Sequence, residues 1–164
     1  MLRADSDAGQ ALGIWQVAHR AKSKLQASVG LGFWKRPIVF AWPGQGDYYT
    51  GGVVTLTRGD HWDVVGHEMG HAIYDLGQLG GMQGGEHKID ECYSATLALS
   101  EGWASYFSAF VSVDRNDPDA KFEFMVPRRA PLRCPARGWR SRSMSVTRRP
   151  WPTGCRAWRR GVAM

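Results

Sequence analysis

Residues 64–76 read VVGHEMGHAIYDL, and this stretch decides the interpretation of the whole chain. It contains the pattern HExxH, and apolar residues surround the motif at the spacing of an amphipathic helix. Asp60 is suited to cap the start of such a helix, and Gly77 is suited to end it. We therefore predict a helix that begins after Asp60 and ends at about Leu76.

The two histidines of the motif are placed to share a metal ion. Side chains four residues apart on a helix lie one above the other, so the imidazoles of His67 and His71 can meet one ion. Zinc binds imidazole nitrogen readily and favours four ligands in tetrahedral geometry. Glu68 is rotated by about 100° around the helix from His67, so its carboxylate faces a water molecule beside the metal instead of the metal itself. We predict that His67 and His71 are zinc ligands and that Glu68 is a general base.

Two histidines leave zinc short of a third protein ligand. The pattern HExxHxxGxxH is excluded, because Tyr74 and Gly77 occupy the positions of its glycine and third histidine. The downstream side chains that can bind metal are Glu86, His87, Asp90, Glu91 and Glu101.

Among these candidates Glu101 is favoured, because it lies in the apolar stretch LALSEGWASYFSAF. A buried carboxylate is costly unless it is paired or bound to a metal. Glu86 and His87 border a glycine-rich loop and are expected to face solvent. Asp90 and Glu91 suit the first turn of a helix, where acids meet the positive end of the helix dipole. Glu91 remains the alternative third ligand.

The pattern of apolar and turn-forming residues in the remaining sequence predicts one α+β domain over residues 1–126, with a small sheet packed on the HExxH helix. The predicted elements are a helix over 8–29, strands in RPIVFAW (36–42) and over 53–57, a glycine-rich loop over 77–85, a long helix over 89–113 and a turn at 116–119. The last helix would carry Glu101 to the HExxH helix.

Residues 127–164 differ sharply from this domain. They contain 11 Arg and neither Lys nor any acid, whereas residues 1–126 hold 10 Lys and Arg against 15 Asp and Glu. The basic character of the chain therefore belongs to its tail, which shows no helical or strand period. We expect a disordered segment or the product of an out-of-frame reading of a GC-rich gene. A nucleic-acid-binding arm is the less favoured alternative.

HEMGH followed by SEGWASYF resembles the gluzincin metallopeptidases, in which a glutamate on a later helix completes an HExxH site. EGWA is similar to the sequence around the ligand glutamate in aminopeptidase-type members. The resemblance extends over about residues 1–115. His71 and Glu101 are thirty positions apart, more than in thermolysin-like or aminopeptidase families, so the family within the clan stays open. The resemblance to gluzincins implies a zincin-like fold, a zinc cofactor held by His67, His71 and Glu101, and hydrolysis of a peptide or protein substrate.

The resemblance also carries expectations about the surroundings of the metal. The strand over 53–57 would form the sheet edge along which substrate lies. Ser105 stands where thermolysin-like enzymes place an aspartate that orients a zinc-bound histidine, and Asp75 is a weaker candidate for such a role. No oxyanion-stabilising residue is identified, since Tyr74 is expected in the core and Tyr106 on the far side of its helix. If a C-terminal part of the domain is missing, a zinc-binding protein without activity is the alternative.

The sequence contains no run of 18 apolar residues, so we expect no contact with a membrane. The N-terminal residues MLRADSDAGQALG lack the layout of a secretory signal. The compartment is therefore not predicted, although the resemblance favours one outside the cytoplasm. The oligomeric state is not predicted either.

Overall fold

The computed structural model describes residues 3–85, 87, 93–114, 116–118, 120 and 122. Within these residues the fold is mixed α+β, as predicted, with three helices and one three-stranded sheet. The elements are α1 (Asp7–Ser28), β1 (Val39–Ala41), β2 (Tyr48–Thr50), β3 (Val53–Thr55), α2 (Trp62–Leu76) and α3 (Ala95–Ser112). The predictions for residues 127–164 lie outside the described residues.

The sheet has the order β1-β3-β2, with β3 parallel to β1 and antiparallel to β2. The strand predicted at 53–57 is confirmed in part, as β3 over Val53–Thr55. Its predicted edge position is wrong, because β3 pairs with β1 on one side and with β2 on the other, and β2 and β3 form a hairpin around Gly51 and Gly52. Both turn glycines have positive φ, 56° and 94°, a conformation that a two-residue hairpin turn requires and that L side chains rarely adopt. The edge strand on this side is β2.

Helix α2 begins at Trp62 with His61 as its N-cap residue, which makes no side-chain capping hydrogen bond. The predicted cap at Asp60 is therefore wrong. The Asp60 carboxylate instead accepts hydrogen bonds of 2.9 and 2.7 Å from the Arg58 guanidinium. The end of the helix is as predicted, with Leu76 as its last residue and Gly77 as its C-cap.

The other two helices start at serine caps. Ser6 accepts a hydrogen bond of 3.2 Å from the backbone N–H of Gly9, and α1 covers almost the predicted range. Ser94 accepts one of 3.1 Å from Leu97 N–H, so α3 starts at Ala95. The predicted start at residue 89 is wrong, since residues 93 and 94 precede the helix; residues 88–92 lie outside the described residues. An N-cap serine satisfies a backbone donor that the first helical turn leaves unpaired.

Helix α2 lies at the centre of the molecule, in contact with α1, α3 and the sheet. Its packing against α3 depends on small residues. A Cβ atom built on Gly70 would lie 2.9 Å from Ala104 Cα, and one on Gly66 would lie 2.8 Å from Ser108 Oγ. The two helices therefore approach each other more closely than larger side chains would permit. This close approach brings the Glu101 end of α3 next to the HExxH motif.

We expect Gly70→Ala to destabilise the fold by about 1–3 kcal/mol, because its new methyl group must displace the backbone of α3 at Ala104. Gly102→Ala is the matched control, since it is also a glycine within a helix but has no atom within 4 Å of a built Cβ. This control should gain about 0.5–1 kcal/mol from helix propensity. Urea denaturation of both variants measures the difference; equal free energies of unfolding would contradict the close helix packing.

Candidate metal centre

The three predicted ligands converge at one point between α2 and α3. His67 Nε2 lies 3.1 Å from Glu101 Oε2, and His71 Nε2 lies 3.4 Å from Glu101 Oε1. One ligand atom from each of the three residues lies within 4.8 Å of the others. His71 is buried, and His67 and Glu101 are partly buried. The structure thus brings together residues that are separated by up to 34 positions in the sequence.

The donor set and its spacing fit a zinc ion. Zinc bonds of about 2.0–2.1 Å at tetrahedral angles place neighbouring ligand atoms about 3.3 Å apart. Each imidazole nitrogen lies near a different oxygen of Glu101, at 3.1 and 3.4 Å, and these two separations are close to this value. Two imidazoles and one carboxylate are also ligands that zinc commonly takes in catalytic sites.

The Glu101 carboxyl is held in its ionised form. Burial acts to raise its pKa, but hydrogen bonds from His67 and His71 outweigh this effect and hold the pKa well below its usual range. An ionised carboxylate is the form that binds a metal cation. The Glu101 carboxylate therefore stays ionised at neutral pH despite its partial burial.

The pKa of the Glu68 carboxyl is shifted in the opposite direction to that of Glu101. The Glu68 side chain is buried, with only 8% of the residue exposed, and it lines the same cavity as the three ligands. Burial raises the pKa of the Glu68 carboxyl, and the two histidines partly oppose this rise. A raised pKa makes the carboxylate a better proton acceptor. Glu68 is not among the three residues whose ligand atoms converge, which agrees with a role other than that of ligand.

The Nδ1 atoms of the two histidines on α2 have different surroundings. Ser105 Oγ lies 3.4 Å from His67 Nδ1, a long contact for a hydrogen bond. The buried Nδ1 of His71 has no hydrogen-bond partner within the described part of the chain. Asp75 does not support it, because its carboxylate binds Arg36 and accepts a hydrogen bond of 2.5 Å from the Tyr49 hydroxyl.

His87 makes a contact that the sequence did not predict. It is exposed, as expected, with 38% of its side chain accessible, but its Nε2 also lies 3.1 Å from Glu101 Oε2. The Gly85 carbonyl and the Glu101 carboxylate raise the pKa of the His87 imidazole, and partial burial opposes them. The position of His87 after a glycine-rich loop indicated its exposure but gave no signal for this contact with Glu101. The competing candidates Glu86, Asp90 and Glu91 lie outside the described residues.

A cavity of about 1250 Å³ opens above this cluster. The edge strand β2 borders it, together with side chains from α2, α3 and the glycine-rich loop. Tyr74 and Tyr106 do not line it: Tyr74 is buried in the core, and Tyr106 is 61% exposed elsewhere on α3, as expected. The remaining lining residues include Arg36, Asp47, Tyr48, Tyr49, Thr50, Asp75 and Tyr93.

None of the described helices combines the length and the apolar character that crossing a membrane requires. Comparison of the chain with protein-family models, with curated proteins and with solved structures found no significant match in any of the three.

Proposed function

We propose that residues 1–126 form a zinc-dependent peptidase domain of the zincin-like, gluzincin type, with Glu68 as general base. The observation that carries this proposal is the convergence of His67, His71 and Glu101 within 4.8 Å. The HExxH motif alone is a weak signal, because histidines four residues apart are common on helices. A carboxylate from a separate helix at zinc-ligand spacing is a much more specific arrangement.

Zinc held by these three residues would polarise a peptide carbonyl and lower the pKa of water to about 7. Glu68 accepts the proton of the attacking water, since its buried carboxylate faces the same cavity and lies next to His67 in the sequence. The same carboxyl group then returns the proton to the leaving amine. The two halves of the reaction thus use one side chain as base and then as acid.

A peptide is the substrate class that suits the cavity. Among the described residues, strand β2 pairs with β3 along one side only, so the other side of Tyr48–Thr50 is an edge that borders the cavity. An extended peptide can add to such an edge through main-chain hydrogen bonds, which require no particular side chain. Substrate would therefore lie along β2, and not along the strand over residues 53–57 as the sequence predicted.

The proposal is tested on the purified chain by measuring zinc content and the cleavage of quenched casein. We expect about one zinc per chain, together with cleavage that a chelator abolishes and added zinc restores. Zinc without chelator-sensitive cleavage would support the alternative of a metal-binding protein that has lost activity. A chain that binds no zinc would contradict both.

A further inference from the structure

The Asp75 carboxylate joins three segments of the chain at the wall of the cavity. Its Oδ2 atom accepts a hydrogen bond of 2.5 Å from the Tyr49 hydroxyl and also binds the guanidinium of Arg36. Tyr49 belongs to β2, Arg36 precedes β1, and Asp75 lies in the last turn of α2. All three residues line the cavity above the predicted metal ligands. Asp75 therefore links α2 to the sheet beside the candidate metal centre.

The position of Asp75 is one helical turn away from a predicted metal ligand. His67, His71 and Asp75 follow one another at intervals of four residues, so they form a row along one face of α2. Neighbouring side chains in such a row have Cβ atoms about 5–6 Å apart. The hydrogen bond between Tyr49 and Asp75 therefore attaches β2 to α2 within one turn of His71.

Tyr49 faces α2 because of its place in the sheet. It lies opposite Val54 in the pairing of β2 with β3, and opposite residues of neighbouring strands point to the same face. Val54 belongs to the hydrophobic core, and Tyr49 packs against that core. The Tyr49 hydroxyl also accepts a hydrogen bond of 3.1 Å from Gly52 N–H in the hairpin turn. One hydroxyl thus fixes both the strand and its turn relative to Asp75.

Of the two contacts that Asp75 makes, the one with Tyr49 is expected to contribute more. The Arg36 side chain is 51% exposed, so water screens its attraction to the Asp75 carboxylate. Tyr49 is partly buried, and a hydrogen bond to a charged acceptor is stronger than one between neutral groups. Burial and the hydrogen bond to Asp75 raise the pKa of the Tyr49 hydroxyl, so it remains a donor at neutral pH.

We propose that Asp75 is a positioning residue for the substrate and acts through Tyr49, which holds the edge of β2 at a fixed distance from the metal. This inference rests on the proposed function, in which an extended peptide adds to that edge. A peptide paired with β2 must also bring its scissile carbonyl to the metal, so the separation of β2 from α2 decides whether both contacts form together. A misplacement of about 1 Å can cost about 100-fold in rate.

Tyr49→Phe tests the proposal, because it removes only the hydroxyl that joins β2 to Asp75. Calorimetry on the zinc-loaded full chain compares acetohydroxamate, which binds the metal alone, with an extended tripeptide hydroxamate, which also lies along β2. We expect the tripeptide hydroxamate to bind Tyr49→Phe at least about 5-fold more weakly, as for the loss of one hydrogen bond. Acetohydroxamate and zinc should bind as in the wild type. Asp75→Ala, which loses both contacts, should show a larger effect in the same direction.

Tyr106→Phe is the matched control, since it makes the same change at an exposed position on α3 outside the cavity. It should leave all three affinities unchanged. Steady-state kinetics on a quenched peptide give a second measurement. In Tyr49→Phe the KM should rise, whereas a smaller folded fraction alone would lower the apparent kcat and leave the KM unchanged.

The possible outcomes separate this inference from the proposed function. If Tyr49→Phe lost stability but bound both hydroxamates as the wild type does, the contact would be structural only and the inference would be overturned. Equal weakening of both hydroxamates would also overturn it, because the effect would then lie at the metal. The same holds if the zinc-loaded wild type bound the tripeptide hydroxamate no more tightly than acetohydroxamate. A wild-type chain that binds no zinc would instead overturn the proposed function, and the role of Asp75 with it.

Discussion

Glu68→Gln is expected to reduce peptide hydrolysis by about 100- to 10,000-fold while zinc remains bound. Glutamine has nearly the same shape as glutamate, but its amide cannot accept a proton at neutral pH. Glu68 is buried and lines the same cavity as the three predicted ligands without being one of them, so its replacement should leave zinc binding intact. The measurements are kcat/KM on a quenched peptide and the zinc content of the same preparation.

His67→Ala is the control variant for this experiment. It removes one of the three ligands, so zinc and activity should be lost together, whereas Glu68→Gln should separate them. If Glu68→Gln kept more than a tenth of wild-type activity, Glu68 would not be the general base. If it lost zinc, Glu68 would belong to the coordination sphere.

The second large effect is expected for Glu101→Ala, which should weaken zinc binding by more than about 100-fold. Removal of a group that only orients a ligand typically costs 10- to 100-fold in metal affinity, so removal of a ligand should cost more. The variant also leaves His67 and His71 without the carboxylate that each contacts at 3.1 and 3.4 Å. Competition with a chromophoric chelator measures the affinity.

Asp47→Asn is the control for Glu101→Ala. Asp47 lines the same cavity but is not one of the converging ligands, and its carboxylate accepts a hydrogen bond of 2.7 Å from Thr57 N–H. An asparagine oxygen can keep that bond, so this variant should bind zinc as the wild type does. Equal zinc affinity in Glu101→Ala would mean that Glu101 is not the third ligand. Glu91, which lies outside the described residues, would then be the next residue to replace.

Local sequence patterns predicted the helices better than they predicted the sheet. Helix periodicity and the glycine stop gave most of α1 and the end of α2, because these signals depend on residues within a few turns of each other. The N-cap of α2 was misplaced because Asp60 is bound by Arg58, a competition that the capping pattern does not include. The hairpin was missed because a strand was predicted only over 53–57, and none was predicted at Tyr48–Thr50 before the two glycines.

The importance of Glu101 could be predicted because an acid in an apolar helix needs a partner, and this argument requires no coordinates. The contact between His87 and Glu101 could not be predicted in this way. A histidine beside a glycine-rich loop has no periodic pattern, and only the folded path of the loop brings it within 3.1 Å of Glu101. The position of β2 beside the cavity likewise depends on the pairing order of the strands.

The amino-acid sequence by itself determined that His67 and His71 share one helix face, because that relation depends only on their spacing of four residues. It also determined that the Glu101 carboxylate would need a compensating partner. Only the tertiary structure decided which groups meet: the small residues between α2 and α3 set the distance from Glu101 to the histidines, and strand pairing made β2 the edge. Contacts between distant segments depend on packing across the whole domain, and local patterns do not encode it.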